Sequence, residues 1–259
     1  MSPTDLPRVL GLLGLFLFLG TLVRTPEAIP RVDADRLLQS PTLDLTQARQ
    51  ALTLYEARLA QAEADPVPWL IRLARVCFIL GDLAPNGQRQ QYYERGRGYA
   101  ERLCRERPSG VECHYWLAMH LCGLADVGGA FKGRRLLPRI LDELQHVLTI
   151  DETYDQAGAH RVLGRIYYEA PGWPLSVGNL EKSLRHLSAA VRLAPDTSTN
   201  HLYLAETLLR MDKTIPARRE LEQVLSSTRH AICLSNLKED RQKARRLLKE
   251  MTDSDEWQE

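Results

Sequence analysis

The sequence predicts an all-α chain built of helix hairpins in series, and three observations carry that prediction. From Asp44 onward, apolar residues recur at helical spacing with no alternating strand pattern. Good helix formers fill stretches such as 45–63 and 136–150, which end near Pro66 or in polar turns. Ser183, Leu187 and Ala190 return 34 residues later as Ala217, Leu221 and Val224. The last observation matters most, because periodic helices alone do not distinguish a bundle from a row of repeats.

Composition narrows the class. The 259 residues are 44% hydrophobic and 26% charged with a net charge of +1, enough apolar mass for a core and too few charges for disorder. A near-neutral chain lacks the basic excess of a dedicated nucleic-acid binder. A mean hydropathy of −0.30 excludes a polytopic membrane protein.

Residues 1–30 read as a targeting segment. Val9 to Val23 is an uncharged, largely apolar run between Arg8 and Arg24. Fifteen helical residues rise about 22 Å, short of a hydrocarbon core of roughly 30 Å. The length suits a secretory signal, but Pro26 and Ala28 make a poor cleavage site, which favours an uncleaved, tilted anchor. The body then faces a periplasm-like compartment. A Pro-bounded linker follows over 31–44, and 45–66 forms a lone packing helix.

The repeats occupy 67–110, 111–155, 156–197 and 198–229. Each opens on a large-small-x-x-large pattern: Leu73-Ala74, Leu117-Ala118, Leu163-Gly164 with Tyr167, and Leu204-Ala205. A small side chain there admits the partner helix, and the flanking large residues fill the groove. Pro108 and Pro195 stop second helices. A 34-residue helix-turn-helix period is that of a tetratricopeptide (TPR) array, giving a superhelix of about four helix pairs. The turns after Ala74, Ala118 and Gly164 are enlarged, which would gather extra chain on one edge. Gly128 to Arg135 reads as a flexible turn in preference to an anion cradle. Asn179 caps the helix that begins at Leu180. A charged helix over 231–251 closes the array as a solvated cap, and 252–259 is an acidic tail; the repeat domain as a whole spans 45–251.

The run Asp155 to Tyr167, Pro171-Gly-Trp-Pro with Gly178-Asn179, and Asn200-His-Leu-Tyr-Leu-Ala-Glu206 resemble the T component (TatT) family of TRAP transporters. Residues 111–118 and 73–82 are similar to the same family. The resemblance covers roughly 67–229. It implies a periplasm-facing helical scaffold whose partner is the substrate-binding subunit of a tripartite ATP-independent transporter. Family members are often lipoproteins, and this chain has no cysteine near its N-terminus to carry the lipid.

Nothing in the chain assembles a familiar catalytic motif, and no enzyme activity, cofactor or metal site is expected. Five cysteines are present. Cys104 and Cys113 flank the Pro108–Gly110 turn and could face each other as a disulfide, although buried free thiols are the commoner state. Cys77, Cys122 and Cys233 read as packing residues. His114, His160 and His201 each stand three residues before Leu117, Leu163 and Leu204. Successive repeats are offset by about 10 Å, whereas zinc needs ligand atoms at about 2 Å, so the three cannot share one ion. They read as polar packing at each helix start.

Binding is expected on the concave face, lined by the first helix of each pair. Residues one position past the histidines and further turns along point there: Tyr115, Arg161 and Leu202, then Met119, Arg165 and Glu206, with Arg75, Phe78 and Tyr168. Arginines beside aromatic rings suit a carboxylate-bearing peptide. The leading expectation is a protein-binding scaffold. The alternative is a carrier holding an anionic or hydrophobic small molecule in the superhelix, and homo-oligomerisation stays open.

Overall fold

The computed structural model describes residues 33–38, 40, 43–62, 65–172, 174–229 and 237–256. The apolar segment 9–23 with Arg8 and Arg24, Trp173, Cys233 and the last three residues of the acidic tail lie outside the described residues. Among the described residues there are ten helices and no strand beyond two isolated bridges. None of these helices is long and apolar enough to cross a membrane.

The segment expected as a linker contains a short helix, α1 (Ala34–Leu38). It is packed because Asp35 accepts hydrogen bonds from Tyr55 Oη at 2.5 Å and from Arg72 Nη2 at 3.1 Å. The packing helix α2 (Leu45–Gln61) starts with a capping box. Asp44 Oδ1 accepts from Gln47 N at 2.8 Å, and Gln47 Oε1 accepts from Asp44 N at 3.2 Å. Ala48, Ala51, Leu52 and Tyr55 of α2 then share a core with Leu73, Val76, Cys77 and Leu80.

Four hairpins follow. α3 (Val67–Leu83) pairs with α4 (Asn86–Glu106), and α6 (Tyr154–Glu169) with α7 (Leu180–Leu193). α8 (Ser198–Arg210) pairs with α9 (Thr214–Ser226). The second hairpin is the single element α5 (Val111–Asp151), broken at Gly129. Gly129 has φ 72° and ψ −178°, a region open essentially to glycine alone. The expected flexible turn over 128–135 is therefore a one-residue break between two helical arms. The second arm returns to bury Ile140, Leu144 and Val147 against Tyr115, Leu117 and Leu121.

The small residues stand where close approach demands them. A methyl added at Gly164 would fall 2.4 Å from Leu187 Cγ, so Leu187 occupies the volume a side chain would take. Ala74, Ala118, Ala205 and Ala217 are fully buried beside Leu73, Leu117, Leu163 and Leu204. All six residues of the 34-residue repeat, Ser183, Leu187, Ala190, Ala217, Leu221 and Val224, are buried as well. Ser183 is satisfied there, donating to Gly164 O at 2.8 Å.

First helices contact one another along the row α3, α5, α6, α8, and each second helix also packs on the next first helix. This makes the first helices the inner row. Every hairpin tip carries an exposed apolar side chain: Leu83, Phe131, Leu175 and Ile215. The enlarged turn after α6 folds on itself, with Gly178 N donating to Pro171 O and Asn179 N to Tyr167 O, both at 2.8 Å. Asn179 caps α7 by accepting from Lys182 N at 2.8 Å.

The closing helix α10 (Leu237–Glu256) extends into the segment expected as a tail. It is amphipathic: Ala244, Leu247, Leu248 and Met251 pack on α8 and α9, while Arg245, Arg246 and Lys249 face water. Its charged first turn is partly interior, because buried Asp240 accepts from Ser198 Oγ at 2.5 Å and Thr199 Oγ1 at 2.9 Å.

Gly129→Ala should destabilise the chain by about 1–3 kcal/mol, since alanine must hold a backbone conformation reserved for glycine. Urea denaturation followed by circular dichroism measures this, and an unchanged midpoint would refute the role given to Gly129.

Candidate protein-binding face

Arg161 was expected on the concave surface; instead it is fully buried. Its guanidinium is drawn inward by an unusual backbone. Asp155, Gln156 and Ala157 lie consecutively in the left-handed region, with φ of 49°, 59° and 61°. Such residues cost roughly 1–2 kcal/mol each and persist only where neighbours hold them. Arg161 Nη1 donates to Asp155 O at 3.2 Å and Gln156 O at 3.1 Å, and Nη2 donates to Asp155 Oδ2 at 2.8 Å. Tyr115 Oη donates to the same carboxylate. Asn200 joins from α8, its Nδ2 donating to Gln156 O at 3.2 Å and its Oδ1 accepting from Arg161 Nη1 at 3.3 Å. Burial opposes the charge on Arg161, yet Tyr115, Asp155 and Tyr203 hold its pKa above the ordinary arginine value. The arginine thus ties the second, third and fourth hairpins together.

Phe78, Tyr115 and Met119 are likewise buried and do not line an open groove. Phe78 stacks among Tyr93, Trp116 and His120, and Tyr115 meets Trp116 and Tyr154 edge-on. Leu202 packs on α9 and α10. Each first helix is packed on several sides, by its neighbouring first helices and by second or capping helices, so this part of the predicted inward face is core. Arg75 stays half-buried on α3, and its Nε lacks a hydrogen-bond partner among the described residues.

The remaining predicted residues, Arg165, Tyr168 and Glu206, do come together on α6 and α8. The Arg165 guanidinium lies 5.0 Å from the Tyr168 ring centroid and 4.7 Å from that of Tyr203. Exposed Arg210 covers Tyr168 at 4.9 Å and donates to its carbonyl at 2.7 Å. Arg165 also pairs with Glu169 at 2.6 Å and Glu206 at 2.7 Å, and Lys243 of α10 reaches Glu206 at 2.5 Å. Three cations face two carboxylates, leaving one excess positive charge. Tyr203, Arg210 and Lys243 escaped the sequence reading. Tyr203 follows Leu202 by one residue, but Arg210 and Lys243 reach the cluster from a helix end and from the capping helix. Aromatic faces flanked by arginine guanidinium groups suit a carboxylate on an extended segment.

The three histidines form one recurring bracket, each within its own junction. His114 binds Glu143 at 2.7 Å through Nδ1 and Pro108 O at 3.0 Å through Nε2. His201 repeats this with Glu220 and Pro195 O, both at 2.6 Å. In the middle repeat His160 Nδ1 meets His186 at 3.0 Å in place of the glutamate, and Nε2 meets the Glu152 carboxylate at 3.4 Å in place of the proline carbonyl. His186 can fill that place because burial, and then His160, Arg185 and Lys182, pull its pKa down to about 4 and keep it neutral. The prolines that stop the second helices therefore also present the carbonyls that orient the next histidine.

The family model for regulator of microtubule dynamics protein 1-3 matches residues 33–173, more than half of the chain. The chain belongs to this family. It is a different family from TatT, and the match runs from α1 through α6 to the turn beyond it. Tyr115, Asp155 and Arg161 fall inside the match; Tyr203, Glu206, Arg210 and Lys243 fall after it. Among solved structures, TTC0263, a thermophilic TPR protein of Thermus thermophilus, is similar with a TM-score of 0.57 and 21% identity. The similarity covers 76% of this chain and 92% of that one, and it shows the TPR-like fold. No curated protein matches the chain.

Asp155→Ala should cost about 3–5 kcal/mol, because it strands a buried guanidinium. Arg161→Met combined with Asp155→Leu should recover part of that loss in the same denaturation assay. If Asp155→Ala is neutral, the buried node does not hold the hairpins. The His201 pKa is raised: burial pulls it down, but the Glu220 hydrogen bond and the Pro195 carbonyl prevail. The pair's contribution should be full below the unfolded value of about 6.5 and be lost as pH rises through the folded value, at no more than about 1.4 kcal/mol per pH unit. The stability gap between the native chain and His201→Gln should therefore shrink between acidic and alkaline buffer, and a gap that widens would refute the sign.

Proposed function

We propose that the chain is a non-catalytic scaffold that holds a carboxylate-bearing segment of a partner protein against the inner face of α6 and α8. The observation that carries this reading is the stack of Arg210 on Tyr168, beside Arg165 and Tyr203. Arg165 is already engaged by Glu169 and Glu206, so Arg210 is the cation an incoming carboxylate meets first. The TPR-like fold supports the reading, because an inner row of first helices offers an extended surface to a peptide.

The family description supports placing this partner in the regulation of microtubule dynamics. The motif resemblance supports another partner, the substrate-binding subunit of a TRAP-type transporter. In that reading residues 9–23 anchor the chain facing the periplasm or are removed on secretion. Purified full-length chain that changes microtubule growth in a turbidity assay favours the first. Co-purification of a substrate-binding subunit from the native host favours the second. A small anionic ligand found by native mass spectrometry, with no protein partner, overturns both.

Arg210→Glu and Tyr168→Ala should each weaken partner binding by about ten-fold or more, equivalent to about 1.4 kcal/mol. The Arg210 contribution should fade at high salt. Isothermal titration with the recovered partner checks this, and unaltered affinity in both variants would sink the proposed face.

A further inference from the structure

The junction between α4 and α5 carries chemistry that the scaffold reading does not use. Cys104 lies in the last turn of α4 and Cys113 in the first turn of α5, either side of the Pro108–Gly110 turn. Both thiols are free, and the ligand atoms of Cys104, Cys113 and His114 all lie within 4.8 Å of one another. His114, Glu143 and His146 form a second, overlapping group of the same tightness. A cavity of about 300 Å³, lined in part by Cys104, His114, Arg139 and Glu143, opens onto the cluster.

We propose that Cys104, Cys113, His114 and Glu143 form a zinc site. Thiolate, imidazole and carboxylate are the three donor types zinc takes, and two thiolates select against magnesium and calcium. Zinc bond lengths of about 2.0–2.3 Å place tetrahedral ligands about 3.3–3.8 Å apart, a small contraction of the Cys104, Cys113 and His114 group, with Glu143 moving in from its place against His114. The orientation of His114 supports the assignment. Its Nε2–H donates to Pro108 O at 3.0 Å, which leaves Nδ1, now sharing a proton with Glu143, as the nitrogen that faces the cluster. Metal-bound imidazoles almost always donate their second nitrogen in this way. Glu143 already meets Nδ1 at 2.7 Å and is buried, whereas His146 is exposed, so Glu143 is the fourth ligand.

The other two histidine brackets show what is special here. At His201 the residues ten and one before it are Val191 and Asn200, and at His160 they are Ile150 and Ala159. The bracket itself is architectural; only the His114 junction adds a thiol at both places. Zinc entry displaces both thiol protons and any proton shared by His114 and Glu143, with no change of oxidation state, so binding releases protons.

The test uses reduced, full-length chain stripped with a chelator and titrated with cobalt(II), then back-titrated with zinc. The expected result is one ion per chain with a thiolate-to-cobalt charge-transfer band that zinc abolishes. Cys104→Ser, Cys113→Ser and His114→Gln should each lose the band and weaken zinc binding by at least about 100-fold, and Glu143→Gln by about ten-fold or more. Cys122→Ala, a thiol outside the cluster, should leave both unchanged, and circular dichroism confirms that every variant is folded. Absence of the band in folded, reduced protein overturns the proposal. So does a band that survives loss of both Cys104 and Cys113, or a zinc-free Cys104–Cys113 disulfide in protein taken from its host.

Discussion

A buried positive charge organises this array. Arg161 is wholly interior, and a guanidinium in that position must find acceptors or destabilise the fold by several kcal/mol. It finds them where three consecutive residues lie in left-handed backbone, so that the carbonyls of Asp155 and Gln156 and the Asp155 carboxylate converge on one group. Tyr115 arrives from the preceding hairpin and Asn200 from the following one. Apolar packing would let neighbouring hairpins slide or rotate by small amounts. A shared buried charge does not, because each displaced bond leaves an unsatisfied polar atom at low dielectric.

Around that node the repeats use a second device. His114 and His201 each clamp a glutamate of the partner helix to the carbonyl of the proline that ended the previous hairpin. The proline thus stops a helix and, having set the chain direction, offers an acceptor to the next one. Leu187 seated over Gly164 shows the complementary apolar device, a large side chain filling the volume its partner vacates. Polar brackets fix the junctions and apolar knobs fix the hairpins.

The two ends of the array differ in what they leave for binding. In the first two hairpins Phe78, Tyr93, Trp116 and His120 form one interior cluster. In the last two, Tyr168 and Tyr203 remain accessible to arginine guanidinium groups. The family match covers the first part and stops before most of the second. The shared region is therefore chiefly the packed frame, and the residues that would recognise a carboxylate lie largely beyond it.

Residues 67–229 were legible as TPR-like hairpins because the period depends on local terms: apolar spacing, a small residue at each close approach, and prolines that cannot continue a helix. Hence Leu73-Ala74, Leu163-Gly164, Pro195 and the Asn179 cap stand where the sequence places them. What the sequence could not decide was how deeply first helices sink into one another. That depth buried Tyr115, Met119 and Arg161 and left Arg165, Tyr168 and Glu206 half-buried, although helical periodicity treats all six alike. Nor could the sequence decide that the 128–135 segment would be a single break at Gly129, after which the second arm of α5 brings Glu143 to His114 across 29 residues. Periodicity reports which way a side chain points along its own helix; only the packing of the next helix determines whether it then meets water, a charge or another core.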